Sequence, residues 1–113
     1  MAQHINFDKL VRENTPEIIL GDGYELQTRR VAPQSEEYRS LLIAKMLEEF
    51  GEWVKSGDEN ELCDVYEVLR TIVREVAGRD DEWMHGVAAA KREYKGRLSN
   101  LVLLWIRPKE AGE

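Results

Sequence analysis

The sequence predicts a mainly α protein: a helical hairpin plus a third helix, with a short N-terminal helix ahead of them and a small two-stranded sheet beside them. Three observations predict it. Apolar residues recur at helical spacing in three stretches; a glycine (Gly57, Gly78, Gly96) follows each, where a left-handed residue commonly ends a helix; and 42% hydrophobic content over 113 residues suits one folded core. We therefore expect a single domain over 1–113, frayed after about residue 107.

Along the chain, Thr15 reads as an N-cap with Pro16 at the first helical position, giving a short helix to about Leu20 that Gly21-Asp22-Gly23 stops. Tyr24, Leu26 and Thr28 alternate, so Tyr24 to Val31 reads as a short strand. Ser35 then caps the first long helix, favoured by Glu36 and Glu37 in its positive first turn and running to about Lys55. Its apolar stripe is Ile43, Met46, Leu47, Phe50 and Val54, widened by Leu42 and Trp53. Asp58 or Asn60 caps the second, with Leu62, Val65, Tyr66, Leu69, Ile72, Val73 and Val76 on one face. The third starts after Asp80 or Asp81 and ends near Lys95. Leu101 to Ile106, an unbroken apolar run, reads as a buried strand able to pair with Tyr24 to Val31.

Chemistry concentrates in the hairpin. Glu49 and Glu52 are one helical turn apart, as are Glu61 and Asp64, so each pair shares a helix face at the margin of its apolar stripe. In an antiparallel hairpin turning between Ser56 and Gly57, Glu52 faces Glu61 and Glu49 faces Asp64. A lone acid on a helix margin is ordinarily just solvated. Four converging carboxylates repel one another, and a divalent cation removes that cost. Oxygen-only ligands suit Mg²⁺, with Mn²⁺ able to substitute, whereas one cysteine and the separated His4 and His85 offer no zinc site. Glu61 has a second reading, as the partner of Asp58 in a capping box.

A metal cradle in a chain of formal charge -6 fits a polyphosphate ligand, whose oxygens the cation would bridge to the carboxylates. Lys9 and Arg12, and Lys91, Arg92 and Lys95 at the end of the third helix, are candidate phosphate contacts; the second group is equally explained by the helix dipole. The acidic balance argues against nucleic-acid polymers, no apolar run approaches a membrane span, and a lone Cys63 with no signal-like N-terminus points to the cytoplasm. Apolar margins left by a hairpin and one helix suggest a second copy as cover.

Glu48-Glu49-x-x-Glu52 followed by Glu61-x-x-Asp64 resembles the signature of the MazG-like all-α nucleotide pyrophosphohydrolases. Lys9-Leu10-Val11-Arg12 and Pro16-Glu17-Ile18-Ile19 look like the opening of the phosphoribosyl-ATP-pyrophosphohydrolase-like, house-cleaning branch. The chain departs from that branch at Glu13-Asn14 and Gly96-Arg97-Leu98. The resemblance implies a helical bundle completed by dimerisation, as a homodimer or homotetramer. It also implies Mg²⁺-dependent cleavage between the α and β phosphates of a nucleoside triphosphate, clearing non-canonical nucleotides. Carried across, Glu49, Glu52, Glu61 and Asp64 become metal ligands, Glu48 an acid that orients water or binds a second ion alongside Glu49, and Lys9 and Arg12 phosphate contacts. Two alternatives stay open: a non-catalytic acidic helical module that binds a nucleotide or partner, and phosphoribosyl-ATP hydrolysis.

Overall fold

A computed structural model describes residues 5–110. Its elements are four helices, α1 (Thr15–Gly21), α2 (Glu36–Ser56), α3 (Glu61–Glu75) and α4 (Asp81–Lys95). The chain divides into two compact units, Met1–Asp81 and Glu82–Glu113. The first holds the hairpin of α2 and α3, which pack against each other.

Local chemistry explains the boundaries. Ser35, in extended conformation, accepts a hydrogen bond from the Tyr38 amide at 3.1 Å, satisfying one of the free amides of the α2 start. At the other end Gly57 adopts φ 69°, and its amide donates to the Trp53 carbonyl at 2.8 Å. Any residue with a Cβ is strained there, so glycine is the residue that lets the chain reverse after so long a helix. The four-residue turn to α3 is stiffened by its own side chains. Ser56 Oγ accepts from the Asp58 amide at 3.1 Å and Asp58 Oδ1 from the Asn60 amide at 2.9 Å. Asn60 occupies the N-cap of α3 without a side-chain capping bond, so the capping role expected of Asp58 or Asn60 is replaced by this linked pair of turns. For α1 the N-cap is Asn14 rather than Thr15, which is the first helical residue.

The hairpin interface is narrow. Leu42, Val68 and Val73 are the buried apolar residues among those described. Leu42, Met46, Glu49 and Trp53 follow one another at i, i+4, i+7 and i+11 and are all at least partly buried, so this ridge of α2 faces α3. On α3 the matching ridge is Glu61, Val65, Val68 and Ile72. The centre of the α2 stripe is thus Leu42. Ile43, Leu47, Phe50 and Val54, expected at its middle, are 48–68% exposed. The roll of α2 puts Glu49 on its packing ridge rather than at the margin of the apolar face, and on α3 Glu61 stands on the matching ridge.

No strand forms among the described residues, which corrects the expected two-stranded sheet. A strand needs a partner for its backbone groups, and Tyr24 to Val31 is held instead by side chains. Arg29 bonds Asp8 and Glu37, each at 2.9 Å, and Arg30 grips Glu13 with two bonds of 2.6 and 3.0 Å. The run 101–106 is likewise without regular structure, its side chains exposed. No helix among the described residues is long and apolar enough to cross a membrane.

Candidate metal centre

Glu49 comes from the middle of α2, Glu61 and Asp64 from the first turn of α3, and the hairpin turn brings them together. One carboxylate oxygen from each lies within 4.8 Å of the other two. Oxygens around a single octahedral Mg²⁺ with bonds of about 2.1 Å stand roughly 3 to 4 Å apart. This donor set can therefore hold a hard divalent ion with small side-chain adjustment. Glu52, the fourth expected ligand, is exposed and outside this triplet, although its charge still acts on Glu61.

Basic side chains already meet the acids. Lys9 Nζ donates to Glu48 Oε1 at 3.0 Å and Arg12 Nη2 to Asp64 Oδ1 at 2.8 Å, so the N-terminal segment lies against the hairpin at the cluster. Lys45 Nζ sits 3.1 Å from Glu49 Oε1 and 3.6 Å from Glu48 Oε2. The Lys45 and Glu49 side chains are 17% and 14% exposed, the most enclosed of the ion-paired charges here. Lys45 is a site residue that no sequence motif singles out, although its i, i+4 spacing to Glu49 is plain in the chain. Such pairs are common on solvated helix faces, and only the roll of α2 onto its Leu42 ridge encloses this one.

These charges pull two carboxyls in opposite directions. Partial burial alone would push Glu48 up, but the Lys9 hydrogen bond and the Lys45 charge outweigh it and hold Glu48 below the usual carboxylate range. Glu61 is pushed up, by desolvation first, then by the charge and hydrogen bond of Asp64, then by Glu49 and Glu52. Glu61 lies beside Glu49 and Asp64, and the Asp58 amide that a capping box would give it donates to Ser56 Oγ instead. A carboxyl whose folded pKa is raised binds more protons folded than unfolded, so its repulsion costs stability at neutral pH and is relieved as pH falls through the folded pKa. Glu61→Gln is accordingly expected to raise the melting temperature of the metal-free protein at pH 7, with the gain shrinking toward pH 4; thermal unfolding followed by circular dichroism at both pH values checks it.

Lys91, Arg92 and Lys95 lie exposed on the C-terminal half of α4, with Arg92 and Lys95 in its last turn, where the helix dipole favours cations. Cys63 is exposed. No family model, curated protein or solved structure matches the chain.

Proposed function

We propose that the protein is a Mg²⁺-dependent nucleoside triphosphate pyrophosphohydrolase, releasing a monophosphate and pyrophosphate. The observation that carries this reading is the convergence of Glu49, Glu61 and Asp64 across the hairpin, with Arg12 paired to Asp64 and Lys9 to the neighbouring Glu48. The paired acidic motifs and the Lys9 to Arg12 segment are also the residues that resemble the MazG-like family.

In this reading Glu49, Glu61 and Asp64 hold the ion, and Glu52 stands one turn away. Bound there, Mg²⁺ would neutralise phosphate charge and polarise the phosphoryl group. The remaining work falls to the chain's own side chains. Glu48, held beside the cluster by Lys9 and Lys45, would orient an attacking water. Lys9 and Arg12, which pair with Glu48 and Asp64, would contact the polyphosphate. The expected assembly is a homo-oligomer in the cytoplasm, a second copy covering the exposed stripe of Ile43, Leu47, Phe50 and Val54.

The test is a panel of canonical and damaged nucleoside triphosphates, with phosphoribosyl-ATP included, assayed with Mg²⁺ or Mn²⁺ for pyrophosphate and orthophosphate separately. Pyrophosphate release from at least one substrate is expected; none across the panel would remove the enzymatic reading. A second reading is favoured by the ion pairs that already satisfy Glu48, Glu49 and Asp64: a non-catalytic helical module that binds a nucleotide or partner. Metal-dependent nucleotide binding in calorimetry without any product would select it.

A further inference from the structure

We infer that Arg12 is a shuttling residue, the resident counter-ion of Asp64 in the metal-free protein, displaced by the divalent ion and thereby delivered to the polyphosphate. The inference rests on the reading of the cluster as a divalent-cation centre and adds an order to it: metal first, nucleotide second.

The charges motivate it. Five carboxylates, Glu48, Glu49, Glu52, Glu61 and Asp64, share this corner of the hairpin with three cationic side chains, Lys9, Arg12 and Lys45. The imbalance is two negative charges, which one divalent ion would neutralise. The cations are not equally committed. Lys45 is enclosed on the same helix as its partners and can stay beside Glu49 while that carboxylate turns. Arg12 comes from outside the hairpin, its side chain is 60% exposed, and its single bond goes to Asp64 Oδ1, an oxygen of a residue the ion needs. Arg12 and the ion compete for one carboxylate, so the ion's arrival weakens the hold on Arg12.

The segment also has ties that do not involve the acids. Asp8 and Glu13 bracket Lys9 and Arg12, and each is tied to the loop ahead of α2, Asp8 through Arg29 and Glu13 through Arg30. Neither anchor involves a residue of the acid cluster. Released from Asp64, the guanidinium therefore remains at the mouth of the cluster, where its planar fork suits phosphate oxygens.

The two roles have opposite signs in one substitution. Arg12→Gln removes the competitor and is expected to bind Mn²⁺ alone about 3- to 10-fold more tightly than wild type in calorimetry at low, fixed ionic strength, the range of an exposed ion pair and a nearby like charge. With Mn²⁺ saturating, the same variant should bind inorganic tripolyphosphate about 10-fold more weakly, the loss of one charge-assisted hydrogen bond. Arg12→Lys keeps the charge and should hold Mn²⁺ affinity near wild type. Helix content by circular dichroism, unchanged in both variants, shows that folding is not what changed. Wild type that binds Mn²⁺ while Arg12→Gln binds it equally or more weakly, or binds tripolyphosphate as well as wild type does, overturns the shuttle and leaves the metal centre standing. No Mn²⁺ binding by wild type or variant overturns both.

Discussion

Leu42→Ala is expected to lower the unfolding free energy by about 2 to 4 kcal/mol, the usual cost of deleting a buried leucine side chain and leaving the space unfilled. Leu42 is 2% exposed, the most buried residue described, and it sits on the α2 ridge that meets α3. Since a small domain is stable by only about 5 to 15 kcal/mol, and just two other apolar residues in the described chain are buried, the loss is a large share of the total. Denaturant unfolding followed at the helical circular dichroism band would show it as a lower midpoint. Ile43→Ala is the control, one position along the same helix with 51% exposure, and should cost well under half as much if that face is bare in solution. An equal cost would mean that the Ile43 face is covered, as a second copy would cover it.

That contrast marks where the sequence was readable. Helix positions followed from apolar spacing and from punctuation with a single physical meaning: Ser35 at the α2 start and Gly57 at its end both stand where the pattern put them. The roll of α2 did not follow. Its apolar arc, from Leu42 and Trp53 round to Leu47, spans about 140° of the helix circumference at 3.6 residues per turn, and a stripe that broad does not fix its own centre. Only the partner helix selects the Leu42 edge, and with it the enclosure of Glu49 and Lys45.

The site was legible in a similar, partial way. Facing positions across a hairpin can be counted, which brought Glu49 to Asp64 and drew in Glu61. Counting could not show that Glu52 stays out, because that depends on where each ridge points. Lys9 and Arg12 were readable as cations near a polyphosphate, but their attachment to Glu48 and Asp64 is a long-range contact that local patterns do not encode. The sheet failed for a related reason: alternation in Tyr24 to Val31 names a face, whereas Arg29 and Arg30 bind the segment through ion pairs no periodicity records.

On the pyrophosphohydrolase proposal, Asp64→Asn should reduce pyrophosphate release by at least about 100-fold in the substrate panel, because a metal supplies several kcal/mol of charge stabilisation in such a reaction and each 1.36 kcal/mol is tenfold in rate. The substitution keeps the shape of the side chain, so helix content should not change. It removes the charge that a hard cation requires, and it also unpairs Arg12, whose guanidinium donates to Asp64 Oδ1 at 2.8 Å. The second effect needs its own control. If turnover fell only because Arg12 lost its tether, Arg12→Gln would fall as far as Asp64→Asn, and raising the Mg²⁺ concentration would restore neither. If Asp64 is a ligand, Arg12→Gln keeps metal binding, Asp64→Asn loses it, and calorimetry with Mn²⁺ separates the two without reference to turnover. Glu52→Gln completes the comparison. Standing outside the triplet, it should cost less than Asp64→Asn, and a loss as large would place Glu52 on the ion as well.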